Sequence, residues 1–348
     1  MPRSKKSIEA RDGEWPSRRM PTTYDVARLS GFSQMTVSRA FLDGAPIRRE
    51  TRKRILEVAK EIGYYQNRAA SHLASQRTRS FGIIVATLQD SVYLPVIDAV
   101  RSVFEQAHAD FVLQTINYEK KREPQAIAAL LAQRVKTVLL PSIGHTSEST
   151  EIIRSLPVPP IEVGNLPRQP IRFAVGHSDF EAGYIATKRL IDVGRKRIAI
   201  VCGYVRETTN ARDRLAGYRL AHRRAGLEMS EERIVQINHG VDAGQRAAQH
   251  LTQNVAFDGL VIAGEIWAPV TLLHLLKEGV SVPKDVAVVG IGEVELNRYM
   301  PVPLTYVRIP RAETGARAAE MAIALSAKRN IEEAVIRLPV RLIEGDSG

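Results

Sequence analysis

A chain of 348 residues is too long for one small helical or β-sandwich domain and predicts two or three folding units. Its 44% hydrophobic and 25% charged residues exclude a disordered or fibrous protein, and no apolar run suits a signal peptide or a membrane span. The single cysteine, Cys202, cannot form an internal disulfide and is expected to pack in a buried strand, so we predict a cytoplasmic protein.

Positive charge is concentrated near the N-terminus. The formal net charge is +11, and residues 1–80 hold 17 Lys and Arg against 8 Asp and Glu, whereas the rest of the chain holds 32 against 30. Only 6 of those 17 cations lie in residues 1–20, which we expect to form a basic disordered tail. The uneven distribution favours a nucleic-acid-binding module joined to a nearly neutral body.

Three helices are predicted between residues 21 and 66. Thr22 and Asp25 have the spacing of a capping box at the start of the first helix, and Ser33 is placed to cap the second. A third helix over about residues 51–62 has apolar side chains at helical spacing.

A short turn between the first two helices, with a third helix covering them, is typical of a helix-turn-helix domain. A plain three-helix bundle would show the same periodicity. The basic excess and the polar outward face of the second helix favour DNA binding.

The segments TTYDVARLSGFSQMTVSRAF and ETRKRILEVAKEIGYYQNRAASHLASQRTRSFGIIV closely resemble the lactose-repressor (LacI/GalR) family of bacterial regulators. The resemblance continues in VGHSDFEAG, RLAGYRLA and DVAVVGIGEVELNRYMPVPLT, so it covers nearly everything after residue 21. It implies a homodimeric, sequence-specific transcriptional regulator, expected to be a repressor, that binds a palindromic operator in double-stranded DNA and responds to a small-molecule effector. No leucine heptad follows residue 330, which favours a dimer over a tetramer.

The resemblance also implies DNA contacts for the second helix. Gln34, Met35 and Arg39 match positions that read base edges, and their amide, thioether and guanidinium groups suit adenine, the thymine methyl and guanine. The predicted DNA-binding residues of this region are Thr22, Ser33, Gln34, Met35, Thr36, Ser38 and Arg39. Two residues depart from the family pattern: Leu42 stands where many relatives have Asn, and Arg48 stands where a capping Ser is usual.

Residues 67–80 are predicted to form a hinge helix and a linker. The segment is too short and polar to be a stable helix alone. Asn67, Ala70 and Leu73 match the family's hinge helix, which implies minor-groove binding with Leu73 wedged between base steps. From the residues alone, a flexible basic linker is an equally good interpretation.

From residue 81 to residue 348, apolar runs of strand length alternate with helical stretches in two blocks. This alternation predicts an α/β fold in which the all-α helix-turn-helix headpiece is followed by two doubly wound α/β lobes. The resemblance implies lobes of periplasmic-binding-protein type, with lobe 1 at about 81–177 and 306–329 and lobe 2 at about 178–305 and 330–348. The cleft between the lobes is the expected effector site and dimerisation is expected in the same unit.

Arg214 matches the family's effector-binding arginine, whose planar fork suits a carboxylate or two hydroxyls, although a helix-face ion pair would also explain it. Gly292 stands where sugar-binding relatives have an Asp, which removes an acceptor expected at that position and weakens the case for a neutral cyclic sugar. The motifs look closest to the gluconate-responsive branch of the family, and gluconate or a related sugar acid is the predicted effector, with a neutral sugar or a purine as alternatives. The predicted effector-binding residues are Tyr93, Thr208, Asn210, Arg214, Glu265, Trp267 and Glu293.

Catalytic motifs are weak. His177, Ser178 and Asp179 are consecutive, and sequence neighbours do not converge as a catalytic triad does. No phosphate-binding loop, HExxH pattern or paired cysteines occur, so we predict no enzyme activity, no cofactor and no metal. A sugar-binding transport receptor or an enzyme would fit the body alone, but the basic headpiece argues against both.

Overall fold

The computed structural model describes residues 19–42, 44–65, 80–88, 91–206, 208–238, 240–293 and 295–348. The chain divides into two compact units, Met1–Thr78 and Arg79–Gly348. Most of the predicted tail, and the hinge residues Asn67, Ala70 and Leu73, lie outside the described residues. Among the described helices, none has the length and apolar character needed to cross a bilayer.

The described part of the N-terminal unit contains helices α1 (Thr23–Ser30), α2 (Gln34–Ala40) and α3 (Arg49–Glu61). The Asp25 carboxylate accepts hydrogen bonds from the backbone N–H of Thr22 at 2.8 Å and from its hydroxyl at 2.7 Å, which fixes the start of α1. Ser33 Oγ accepts the backbone N–H of Thr36 at 3.2 Å and caps α2. Gly31 ends α1 with a φ of +80°, a conformation that favours glycine.

The core of this unit joins all three helices. Val26, Val37 and Ile55 are fully buried. Tyr64 completes the core from beyond α3, with its ring 5.5 Å from that of Phe41 in an edge-to-face arrangement.

Lobe 1 of the C-terminal unit is a parallel six-stranded sheet in the order β11-β5-β4-β3-β1-β2. Its strands are β1 (Ser80–Val85), β2 (Asp110–Thr115), β3 (Val138–Pro141), β4 (Ile161–Asn165), β5 (Phe173–His177) and β11 (Val335–Arg337). Its helices are α4 (Leu94–Gln106), α5 (Glu123–Ala132), α6 (Ser147–Ser155) and α11 (Arg311–Ser326).

Lobe 2 is a six-stranded sheet in the order β12-β10-β9-β8-β6-β7, in which only β12 runs antiparallel. Its strands are β6 (Ile198–Gly203), β7 (Ile234–Ile237), β8 (Gly259–Ile262), β9 (Ala287–Ile291), β10 (Thr305–Arg308) and β12 (Arg341–Ile343). Its helices are α7 (Asp179–Asp192), α8 (Thr209–Ala225), α9 (Val241–Asn254) and α10 (Trp267–Lys277). The central strands are buried on both faces because helices cover the sheet, which explains their continuous apolar runs.

Cys202 belongs to one of these runs and is fully buried in β6. Because of this burial, Cys202 serves to pack the core, and the pKa of its thiol is raised to about 12.

The chain crosses between the lobes three times. The first crossing follows β5, but the second and third lie later than the predicted positions 306 and 330. Residues Thr305–Arg308 pair with β9 and stay in lobe 2, and Val335–Arg337 pair with β5 and belong to lobe 1. The second crossing is thus within a few residues of the expected position and the third lies several residues later, because short, half-buried strands do not show from their sequence which sheet they join.

Helices α7 and α8 approach each other at two glycines. A Cβ atom at Gly183 would collide with the backbone carbonyl of Arg214, and one at Gly217 would collide with the carbonyl of Phe180. This close packing sets the position of α8, which carries Arg214 into the space between the lobes.

Candidate functional site

A cavity of about 90 Å³ lies between the two lobes. It is lined by the segments that follow β1, β2 and β3 in lobe 1 and β6 and β8 in lobe 2, and by the first residue of α11. This is the edge where parallel strands end, the usual location of a ligand site in such folds. The structure places six of the seven predicted effector-binding residues here: Tyr93, Thr208, Asn210, Arg214, Glu265 and Trp267.

Hydrogen bonds and close packing hold the wall from lobe 2 in place. The Thr208 hydroxyl caps α8 by accepting a backbone N–H at 3.4 Å, so the first turn of that helix faces the cavity. The Trp267 indole donates to the carbonyl of Gly240 at 3.1 Å, and its ring covers Gly264 so closely that a Cβ there would collide with it. These contacts hold Trp267 as a fixed apolar surface in the cleft.

Arg214 reaches the cavity already paired. Its Nε donates to Asp179 Oδ1 at 2.6 Å, its Nη1 donates to the carbonyl of Ala263 at 3.0 Å, and its side chain is 8% exposed. Burial raises the pKa of Asp179, but the charges of Arg214 and the nearby His177, together with the hydrogen bond from Arg214, outweigh burial and hold that pKa well below its usual range. The effector arginine expected from the sequence is therefore half of a buried ion pair.

Arg311 is a second cavity arginine, which the sequence reasoning missed. It begins α11 of lobe 1, and its Nε and Nη2 lie 2.7 and 2.6 Å from Oε1 of Glu265, which follows β8 of lobe 2. This ion pair therefore spans the two lobes inside the cleft. A cation two positions after the run LTYVRI, at a lobe crossing, is the sequence signal that could have identified it.

The space for Glu265 is created by Gly292. The φ of Gly292 is +98°, and a Cβ there would collide with the Glu265 side chain. A carboxylate is therefore present in the cleft, supplied by the segment after β8 instead of the segment after β9. The acceptor that relatives have after β9 is absent at Gly292, and Glu265 provides a carboxylate of the cleft from another segment.

Glu293 is not a cleft residue. Its side chain is 51% exposed, accepts a hydrogen bond from the Tyr306 hydroxyl at 3.0 Å and lies 3.4 Å from Arg308. It lines a different cavity, because the backbone turns at Gly292 before reaching it. The structure therefore does not bring Glu293 together with the other predicted effector-binding residues.

His177, Ser178 and Asp179 mark the first lobe crossing. Ser178 Oγ accepts the backbone N–H of Glu181 at 3.1 Å and caps α7, while Asp179 pairs with Arg214. Neither ring nitrogen of the buried His177 has a hydrogen-bond partner among the described residues, and its Nε2 is 3.7 Å from Asp179 Oδ2. The serine is thus occupied as a helix cap, and the three side chains do not form a nucleophile–base–orienter arrangement.

A buried charge cluster lies in lobe 1 after β3. His145 Nδ1 is 2.8 and 2.9 Å from the two carboxylate oxygens of Glu123, and its Nε2 is 3.3 Å from Glu162 Oε1. Burial lowers the pKa of His145, but the hydrogen bonds to the two glutamates outweigh it and raise the pKa to about 9. At neutral pH the ring is a buried imidazolium that joins α5, β4 and the segment after β3.

The second candidate surface is α2 of the N-terminal unit. Gln34, Met35 and Arg39 are exposed, Met35 by 66%, whereas Val37 and Ala40 on the opposite face are buried. Thr36 and Ser38 are half-buried, and Thr22 and Ser33 are exposed at the helix starts. The polar side chains among the predicted DNA contacts thus lie on the outward side of α2 and at the N-terminal ends of α1 and α2.

The two departures from the family pattern are also visible. Leu42 is 46% exposed beyond the end of α2. Arg48 occupies the N-cap position of α3 and makes no side-chain capping hydrogen bond, so α3 begins without the cap that Ser would provide.

Comparison with known proteins identifies both units. Residues 22–67 match the bacterial regulatory proteins of the lacI family, and residues 187–348 match a periplasmic binding protein-like domain. The chain is 27% identical over 346 residues to the HTH-type transcriptional regulator GntR of Pseudomonas aeruginosa, covering 98% of this chain and 99% of that protein. One family model thus matches the headpiece and the other matches the C-terminal part of the body.

Two solved structures share the architecture. A LacI family transcriptional regulator from Silicibacter pomeroyi has a TM-score of 0.84 at 26% identity, covering 94% of this chain and 99% of that one. The lac repressor dimer bound to operator and the anti-inducer ONPF has a TM-score of 0.83 at 22% identity, with the same coverage of 94% and 99%, and shares the fold.

Proposed function

Because this chain belongs to the lacI family of DNA-binding transcriptional regulators with an effector-binding domain, we propose that it is a homodimeric repressor whose operator affinity is set by a small molecule between its lobes. The outward face of α2 is the observation that carries the DNA-binding part of this proposal. Gln34, Met35 and Arg39 are exposed there on a helix whose other face is buried, which suits insertion into the major groove. A palindromic operator fits two copies related by a twofold axis.

Two effector classes have specific support. Gluconate or a related sugar acid is favoured by the sequence motifs and by two arginines in the cleft. A neutral sugar is favoured by the carboxylates that already pair with both arginines, Asp179 and Glu265. A purine has no specific support among the contacts of the cleft.

Control of DNA binding follows from thermodynamic linkage. An effector that stabilises one arrangement of the lobes shifts operator affinity by its difference in affinity for the two arrangements, and the operator shifts effector affinity by the same factor. The cleft is suited to this role because its walls come from both lobes.

The test uses the full-length protein and fluorescence anisotropy of duplexes selected from a random pool, with scrambled duplexes as the baseline at matched salt. We expect selected palindromic duplexes to bind more tightly than scrambled ones, and a sugar acid or a neutral sugar to change that affinity. Equal binding of selected and scrambled duplexes would refute the regulator.

A further inference from the structure

The described residues that line the cleft carry a balanced charge. Among them, only Arg214, Glu265 and Arg311 are charged, and Asp179 neutralises Arg214 from behind the wall. Two guanidinium groups therefore face two carboxylates, each pair with an N–O distance of 2.6 Å. Each arginine of the cleft is therefore already paired with a carboxylate.

An anionic effector would have to disturb this balance. Its carboxylate would be a third carboxylate beside two arginines, because Glu265, which is 4% exposed and confined beside Gly292, already pairs with Arg311. At Arg214 it would likewise add to the charge of Asp179, which is fully buried. The cleft would then hold one negative charge without a matching cation, which is strongly unfavourable in a buried site.

A hydroxyl-rich neutral molecule meets no such obstacle. Among the described residues, Arg311 alone binds the Glu265 carboxylate, and both of its bonds end on Oε1, so Oε2 remains to accept a bond from a hydroxyl. The adjoining guanidinium groups are donors for hydroxyl oxygens, and the fixed Trp267 ring offers an apolar surface to the C–H face of a sugar.

We propose that the intact Glu265–Arg311 pair selects the charge of the effector, so that the cleft binds a neutral sugar or polyol and discriminates against the corresponding sugar acid. This inference rests on the proposed function, because it concerns the effector of the same cleft. The pair joins α11 of lobe 1 to the segment after β8 of lobe 2, so a hydroxyl group bound to both residues also connects the two lobes.

The experiment compares ligands that differ in one carboxylate. Glucitol and gluconate, glucose and glucuronate, and the corresponding pairs from other hexoses are titrated into the full-length protein. The chain has two tryptophans, so a Trp15→Phe background leaves Trp267 in the cleft wall as the fluorescent reporter. The measured quantity is the ratio of the acid's Kd to the Kd of its neutral partner.

In the wild type we expect this ratio to be at least about tenfold in favour of a neutral ligand, because the acid adds an uncompensated buried charge. Glu265→Gln keeps the shape of the side chain and an oxygen acceptor but leaves a net positive cleft. It should lower the ratio by about tenfold or reverse it. Glu293→Gln, the same change at a carboxylate outside the cleft, should leave the ratio unchanged.

The inference is overturned if the wild type binds an acid more tightly than its neutral partner. It is also overturned if Glu265→Gln leaves the ratio of Kd values at that of the wild type, as the control Glu293→Gln is expected to do. It is also overturned if no neutral ligand of the panel binds while a selected operator still does, and in that case the regulator stands. Loss of specific operator binding would instead count against the proposed function. Circular dichroism spectra of each variant verify that the fold is retained.

Discussion

The His145 cluster makes stability depend on pH in a direction that the structure fixes. The pKa of His145 rises from an ordinary 6.5 to about 9 in the folded protein, because the hydrogen bonds to Glu123 and Glu162 outweigh burial. A cationic group whose pKa is raised on folding stabilises the fold fully at pH values below its pKa in the unfolded chain. That stabilisation is lost as the pH rises through its pKa in the folded protein. The stabilisation from His145 is therefore complete below about pH 6.5 and is lost by about pH 9.

The magnitude follows from the same rise in pKa. At about 1.4 kcal/mol for each pH unit, the charged ring contributes about 3 kcal/mol to the free energy of unfolding. The His145 side chain is 7% exposed, so solvent does little to screen this contribution. His145→Gln removes the cation and leaves Glu123 and Glu162 as buried carboxylates. We expect the wild type and this variant to differ by about 3 kcal/mol more at about pH 6 than at about pH 10.

Urea unfolding followed by circular dichroism at both pH values measures this difference. His250→Gln, a change at an exposed histidine of lobe 2, is the matched control and should follow the wild type at both. If the difference between wild type and His145→Gln is the same at the two pH values, the buried imidazolium is refuted.

Two further changes test the geometry. Gly183→Ala forces α7 away from the Arg214 carbonyl and should lower the free energy of unfolding by about 1–3 kcal/mol and weaken effector binding, whereas Lys188→Ala on the exposed face of α7 should change neither by much. Arg39→Ala should cost about 1–3 kcal/mol of operator binding and relax the preference at one base pair in each half-site. Equal weakening on scrambled DNA would show that Arg39 contacts phosphate and not a base.

The sequence predicted the structural features that depend on the spacing of nearby residues. Thr22, Asp25 and Ser33 predict the helix starts because a cap acts within one turn, and the polar face of α2 follows from helical periodicity. The apolar runs similarly predict two parallel sheets. Roles at the DNA and effector surfaces remain predictions, although the structure places the effector candidates, apart from Glu293, around one cavity.

The rest depends on contacts between distant parts of the chain. Arg311 and Glu265 are 46 positions apart, and no periodic pattern links a residue that begins a helix of one lobe to a loop of the other. Gly292 indicates a missing side chain, but only tertiary structure shows that Glu265 fills the vacated space. The pairing of Arg214 with Asp179 likewise turns an expected anion receptor into half of a neutral pair.

The interleaved order of the lobes has a consequence for biosynthesis. Helix α11 completes the core of lobe 1, where Ala318 and Ala322 pack with Phe81 and Phe104 from the start of that lobe. Lobe 1 thus cannot bury its core on the ribosome until nearly the whole of lobe 2 has been translated. Contacts this distant in sequence slow folding and prolong exposure of apolar strands. The nascent body should therefore depend on chaperones until translation passes α11, while the locally connected headpiece folds early.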